Sequence, residues 1–253
     1  MNVAFNMDCM VAMKEFPDKF FDLAVVDPPY GGGAEEKTDN SLTGGGSDWD
    51  SRKRSRFGGW FDKYHIDSKP DIQAERRGCG HNKYDNKITH WDIAPQPEYF
   101  EELARVSKNQ IIWGGNYFDL PPTRCFLIWR KLTISENFSM AMAEYAWTSF
   151  NDNAKVFEYA PQDSKRFHPT QKPKALYDWI FKLYAKKGMK IIDTHLGSGS
   201  SRVAAYDAGL DFWGYEIDET YFKLQEERFA KHTAQENLFL QQDVIECYNE
   251  SML

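Results

Sequence analysis

Apolar positions along the chain alternate between two periods, and the alternation predicts an α/β order of elements. Residues 9–16 fit a short helix that Pro17-Asp18 would end. Leu23-Ala24-Val25-Val26 is a compact apolar run with β-branched members, the pattern of a strand buried on both faces. It stops at Asp27-Pro28-Pro29-Tyr30, where two prolines forbid further sheet pairing. From Pro97, the residues Tyr99, Phe100, Leu103 and Val106 follow helical spacing. Ile111-Ile112-Trp113, Phe126–Trp129 and Tyr145–Trp147 read as strands.

Residues 173–187 give the clearest helix. Pro173 suits its first turn, Leu176, Ile180, Leu183 and Tyr184 make one face, and Lys186, Lys187 and Gly188 suit its C-terminal end. Next come a strand (Lys190–Asp193), a Gly-rich loop, a helix (Ser201–Asp207) and a strand (Asp211–Glu216), which is a βαβ unit. A last helix is expected over about Thr220–Ala234. Strands alternating with helices imply a mostly parallel sheet with helices on both faces, a Rossmann-like α/β fold.

One stretch breaks this order. Residues 31–48 hold two Gly triplets and almost no large apolar residue, which reads as a flexible loop. Residues 51–90 follow with no clear period and with aromatics interleaved among ten Lys and Arg against five acidic residues.

Charge sharpens the picture. The 253 residues carry a net charge of −7, which taken alone speaks against a nucleic-acid partner. The deficit is local, because the chain from Asp211 onward has three basic and ten acidic residues and everything before it is neutral. The basic segment is therefore a candidate for nucleic-acid contact through Arg52, Lys53, Arg54, Arg56, Arg76 and Arg77. The same pattern also fits a solvated loop. A 42% hydrophobic content supports a sizeable core and excludes whole-chain disorder. No apolar run approaches the roughly 20 residues of a membrane span. Asp8, Lys14 and Glu15 interrupt what a signal peptide would need, and the four scattered cysteines fit a reducing compartment, so a cytoplasmic location is expected. Cys79-Gly80-His81 lacks a second ligand pair, so no metal is expected.

Three constellations carry chemistry. The first is Asp193-Thr194-His195-Leu196-Gly197-Ser198-Gly199-Ser200, with Glu216 at the end of the following strand. Its glycines allow a tight turn and close approach of a ligand to the backbone. An acidic residue roughly 20 positions on is placed to bind ribose hydroxyls. A dinucleotide fingerprint needs a third Gly where Arg202 stands, and no P-loop sequence occurs. The loop therefore suits an adenosine-type ligand without a pyrophosphate, though an ordinary βα turn has the same look. The second is Asp27-Pro28-Pro29-Tyr30, at the carboxyl edge of the sheet. A carboxylate, a stiff turn with free carbonyls and an aromatic ring suit the exocyclic amino group of a planar base. The third is His168-Pro169-Thr170-Gln171-Lys172-Pro173, a rigid polar loop ahead of the strong helix.

In this order, DPPY, HPTQKP and D-x-x-x-G-S-G resemble the amino-DNA methyltransferases that use S-adenosylmethionine, in their permuted β group. The resemblance implies a catalytic, cofactor-binding domain over residues 1–30 and 91–253, and a target-recognition insertion over residues 31–90. It implies methyl transfer to the N6 amino group of adenine in DNA, because DPPY more often accompanies adenine than N4-cytosine. N4-cytosine transfer stays open, as does a protein that binds S-adenosylmethionine or DNA without catalysis. The implied base site is Asp27, Pro28, Pro29 and Tyr30. The implied cofactor site is Asp8, Cys9, His168, Thr170, Lys172, Asp193, His195, Gly197, Ser198, Gly199, Ser200 and Glu216. Within it, Asp193 would lie near the methionine ammonium, Glu216 would hold the ribose, and Thr170 and Lys172 would approach the methionine carboxylate. The implied partner is double-stranded DNA with a flipped base, in a bacterial or phage setting, with a homodimer possible and a restriction endonuclease undefined. Thr194 and His195 depart from the family's usual Pro-Phe, and His195 can still stack.

Overall fold

The computed structural model describes residues 1–31, 93–135, 141–161 and 166–250, with side chains described as far as residue 235. Arg52, Lys53, Arg54, Arg56, Arg76 and Arg77, the Cys79-Gly80-His81 stretch and nearly all of the expected 31–90 insertion lie outside the described residues. The chain divides into two compact units. One comprises Met1–Pro28, Pro95–Ile134 and Met142–Leu253, and the other Pro29–Ala94 with Ser135–Ala141.

The first unit is built on one eight-stranded sheet. Its strands are β1 (Asn2–Asn6), β2 (Phe21–Val26), β3 (Ser107–Trp113), β4 (Phe126–Lys131), β5 (Ala143–Thr148), β6 (Lys155–Tyr159), β7 (Lys190–Asp193) and β8 (Asp211–Glu216). Its helices are α1 (Cys9–Lys14), α2 (Pro97–Val106), α3 (Lys174–Tyr184), α4 (Ser200–Asp207) and α5 (Glu219–Glu250). The strand order is β1-β8-β7-β2-β3-β5-β4-β6. β1, β8, β7, β2 and β3 pair in parallel, β5 runs antiparallel to β3 and β4, and β6 returns parallel to β4.

Alternation along the strands sends side chains into two cores. Leu23, Val25, Ile111, Trp113, Ile191 and Phe212 pack with Leu176, Tyr177, Ile180 and Phe181 of α3 and with Ala204 and Ala205 of α4. Ala24, Val26, Ile112, Ile192 and Tyr215 face the other way and pack with Ala12 and Met13 of α1 and with Tyr99, Leu103 and Val106 of α2. Both faces of the parallel region are covered, so β2 reads as a continuous apolar run.

Several expectations meet the structure closely. β7, β8 and α2 have the expected bounds, and α4 begins one residue earlier. The last helix runs to Glu250, well past Ala234, because the intervening sequence has no Pro or Gly to stop it. α3 ends earlier than expected. Ala185 turns extended (φ −120°, ψ 156°), so Lys186 and Lys187 lie beyond the helix. Gly188 (φ +83°) shapes the turn into β7, donating to the Gly209 carbonyl at 3.0 Å. β1 and β6 are strands that the hydrophobic pattern does not reveal, being short, partly exposed and at the sheet edges.

The Gly114-Gly115 pair ends β3 for a steric reason. Gly114 adopts φ +68°. A Cβ on Gly115 would run into Trp147 Cβ and lie 3.0 Å from the Trp147 backbone nitrogen on β5. Gly115→Ala must therefore push β5 away, and an overpacking cost of about 1–3 kcal/mol is expected. Thermal unfolding should show a lower midpoint, and an unchanged midpoint would mean the strands yield freely.

Candidate active site

The parallel strands set the location. β2 leads toward β3 and β7 leads through α4 to β8, so the chain departs in opposite directions on either side of the β2–β7 pair. A crevice opens at such a switch point beyond the carboxyl ends of the strands, where open α/β sheets bind ligands. Asp27-Pro28 follows β2, and Asp193 ends β7. Asp8 lies just beyond β1, and Glu216 ends β8. Four segments far apart in sequence thus deliver four carboxylates to one edge of the sheet.

Local geometry fixes each group. Asp8 caps α1, accepting the Met10 N–H at 2.7 Å. Cys9 opens the helix, and burial, then the charge of Asp8, pushes its thiol up to about 12, so it is neutral. Gly197 (φ +52°) and Gly199 (φ +73°) take the left-handed conformation. A Cβ on Gly197 would stand 3.3 Å from the His168 ring, and Gly199 is the N-cap of α4. The Gly197 and Asp218 N–H groups donate to the two oxygens of Glu216, at 2.8 and 2.9 Å. Asp193 accepts the His195 N–H at 3.0 Å and the Ser201 hydroxyl.

Electrostatics distinguish these carboxylates. Burial, with no cation among its described hydrogen-bond partners, pushes Asp193 up to about 7, and the charges of Asp27 and Glu216 add to the effect. Glu216 is also raised, mainly by burial. A buried pair of carboxylates short of positive charge suits a cationic ligand with hydroxyl groups. S-adenosylmethionine, with its sulfonium, ammonium and ribose, has that character.

His195 is neutral, held at about 4 by burial. The Thr194 hydroxyl bridges Tyr99 Oη (2.6 Å) and His195 Nδ1 (3.0 Å), and the His195 ring meets Tyr99 edge-on at 5.4 Å. The residues that replace the usual Pro-Phe are thus locked to α2.

Other expected cofactor residues have different surroundings. His168 packs edge-on against Tyr221 at 4.3 Å, behind Gly197, with its pKa lowered to about 4 by burial. Thr170 is exposed and hydrogen-bonds through Oγ1 to His168 Nδ1 at 3.2 Å. Ser198 and Ser200 share a 3.1 Å hydrogen bond, and Arg228 of α5 donates to the Ser198 carbonyl and the Ser200 hydroxyl, both at 2.9 Å. Their described contacts hold α5 against the loop. Arg202, in the place of a third Gly, likewise anchors α5 through Gln225 (2.9 Å), an ion pair with Glu226 and stacking on Phe229.

Lys172 brings two strands' charges together. Its almost fully buried Nζ forms ion pairs with Asp27 and, at 3.1 Å, with Glu144 on β5. Glu144 also pairs with Lys131 of β4 at 2.6 Å. Lys172 lies 5.4 Å from the Trp113 ring centre. Neither Glu144 nor Lys131 stood out in the sequence, because a single charge in a short strand gains meaning only from its neighbours across the sheet. Pro29 and Tyr30 fall in the second unit.

Comparison with known proteins assigns the chain to a family. A family model described as DNA methylase matches residues 82–227, more than half of the chain. The chain belongs to the DNA methylase family. It is also similar to curated bacterial methylases. The type II methyltransferase M2.DpnII of Streptococcus pneumoniae is 23% identical over 244 residues, covering 88% of this chain and 87% of the relative. The type II methyltransferase M2.LlaDCHI of Lactococcus lactis subsp. cremoris is 23% identical over 247 residues, covering 89% and 88%. Among solved structures, the PvuII DNA methyltransferase, described as cytosine-N4-specific, shares the fold with a TM-score of 0.55 at 11% identity, over 95% of this chain and 93% of that one. Among the described residues, this DNA methylase has no helix long and apolar enough to cross a membrane.

Proposed function

We propose that this DNA methylase transfers the methyl group of S-adenosylmethionine to the N6 amino group of adenine in double-stranded DNA. The observation that carries the reading is Asp27 at the switch-point edge, with Asp193 and Glu216 short of positive charge on the adjacent strands. The similarity to bacterial type II methyltransferases supports this reading, and we infer a bacterial, cytoplasmic setting for it.

The cofactor supplies an electrophilic methyl carried on a positively charged sulfur. Asp193 would meet the ammonium end, Glu216 would accept from the ribose hydroxyls, and the turn at Gly197–Gly199 would admit the ligand close to the backbone. Asp8 serves the adenine end, with the neutral surfaces of Cys9 and His195 nearby. His168 supports Gly197 from behind, with Thr170 bound to it.

The adenine N6 lone pair is delocalised into the ring, which makes it a weak nucleophile. Hydrogen bonds from N6 to Asp27 and to the Pro28 carbonyl favour a pyramidal nitrogen whose lone pair points at the methyl. When bound, the cofactor would supply the methyl and leave as its neutral thioether, with N6 taking the methyl by its lone pair. The methylated, positively charged nitrogen would then lose one proton to solvent water. Asp27, paired with Lys172, can therefore act as a hydrogen-bond acceptor without being a strong base. Flipping the base out of the duplex costs a few kcal/mol, and base stacking on an aromatic side chain can offset part of it. The insertion, with Arg52, Lys53, Arg54, Arg56, Arg76 and Arg77, is the proposed DNA-contacting segment.

Incubation of the pure protein with labelled cofactor and unmethylated DNA, followed by nucleoside digestion, tests the reading. Label in N6-methyladenine is expected. Label in N4-methylcytosine would replace adenine by cytosine as the target, and no transfer at all would overturn the reading.

A further inference from the structure

Asp27 is held by a charge network that the motif itself does not contain. Lys172, in the loop before α3, places Nζ between Asp27 after β2 and Glu144 on β5. Glu144 in turn is shared with Lys131 on β4. Among the described residues, two lysines and two carboxylates alternate in this network. The Lys172 side chain is 3% exposed, and the fully buried Trp113 ring lies beside its ammonium. Other titratable groups also act on this cluster. Tyr177 of α3 and His168 interact electrostatically with Lys172, and Asp193 and Tyr99 with Asp27.

We propose that Lys172 is a positioning residue that keeps Asp27 ionised and aims its carboxylate, and that Glu144 holds Lys172 in place for that task. The proposal rests on the methyltransferase reading for its purpose, but its electrostatic content stands on the ion pairs alone. A cation in direct contact favours the ionised carboxylate. In surroundings from which water is largely excluded, a second carboxylate is needed to offset the cost of burying the ammonium. Glu144 fills that place. Its own carboxyl is held down at about 2, despite burial, by the charges of Lys172 and Lys131. Consistently, Lys172 is pushed above its ordinary value by Asp27 and Glu144 against the opposing effect of burial. One oxygen of Asp27 accepts from Lys172, which constrains the rotation of the carboxylate. Lys172 would then act on the nucleophile's partner and leave the cofactor's carboxylate to other groups.

The decisive experiment follows the carboxyl carbon resonances of Asp in carbon-13-labelled full-length protein through a pH titration without DNA or cofactor. Asp27→Asn identifies the Asp27 signal. In Lys172→Met, Asp27 should titrate about 1–3 pH units higher than in the wild type. Lys172→Arg, which keeps the charge, should restore most of the wild-type position. Glu144→Gln should raise it by less than Lys172→Met does. Steady-state kinetics provides the second arm. Lys172→Met should lower kcat about 100-fold, with KM for cofactor and DNA within about threefold, and should move the acidic limb of the kcat profile to higher pH.

An Asp27 titration unmoved in Lys172→Met would overturn the proposal. So would a loss confined to cofactor affinity, which would assign Lys172 to the methionine carboxylate instead. If Lys172→Met does not fold, the Arg and Glu144→Gln variants carry the same comparison. Wild-type protein that transfers no methyl would overturn the functional reading, while the titration would still decide the charge network.

Discussion

Asp27→Ala is expected to abolish detectable methyl transfer to DNA while leaving the cofactor dissociation constant within about threefold of wild type. The variant removes the acceptor proposed to organise N6 in the transition state. Loss of one preorganised polar partner of this kind typically costs about 100–1,000-fold in kcat. Among the described residues, Asp27 is one of two carboxylates paired with this buried ammonium, so its removal leaves Glu144 on Lys172. Breaking a buried ion pair costs about 3–5 kcal/mol when the remaining charge has no other partner, and Glu144 should limit the loss here. Asp27→Asn separates the two effects. It preserves shape and should fold better than Asp27→Ala, yet it removes the negative charge and should also lose most of the rate. Transfer of labelled methyl, measured beside cofactor binding by calorimetry, checks both variants. Full activity in either would remove Asp27 from the reaction.

The second large effect concerns Asp193 and pH. Its carboxyl is raised to about 7 by burial, so the ligand-free protein carries it largely protonated at pH 6. A bound ammonium favours the ionised form. Binding at pH 6 should therefore release close to one proton, and binding near pH 8 almost none. Cofactor affinity should rise with pH, by about tenfold per unit well below pH 7, and level off above it. Proton release follows from calorimetry in buffers of different ionisation enthalpy. Asp193→Asn should weaken binding by about 10–100-fold, the worth of a hydrogen bond to a charged group, and should flatten the pH dependence. An Asp193→Asn protein with the wild-type slope would show that another group carries the proton. The same shift affects the fold itself. The unfolded chain releases this proton in the ordinary carboxylate range, so the ligand-free protein loses stability as pH rises from about 4 to 7.

The β7-α4-β8 unit was legible in the sequence because it is local. An apolar run, a Gly-rich turn and a second apolar run succeed one another within 27 residues, and each boundary carries its own breaker. The carboxyl-edge position of Asp27 was legible for the same reason, since Pro28 and Pro29 end β2 where the motif begins. The partners of Lys172 were not legible. Asp27 lies 145 positions away, and Glu144 reaches Lys172 only because β5 joins the sheet antiparallel to β3. Ser198 and Ser200 stood out because they lie in the Gly-rich loop, but their bonds to Arg228, on a helix that begins 19 residues after Ser200, required the packed structure. Arg202 was informative as a missing glycine, but its burial and its grip on α5 required the packed structure. Edge strands β1 and β6 escaped notice because they are only partly buried, which weakens the alternation that reveals interior strands.

The measurement that bears most directly on the central claim is a map of modified bases on genomic DNA methylated by the pure protein. The account predicts N6-methyladenine at every occurrence of one short recurring sequence, and no mark after treatment with Asp27→Asn. N4-methylcytosine at such a site, marks that persist with Asp27→Asn, or DNA left unmodified by the wild type would contradict it.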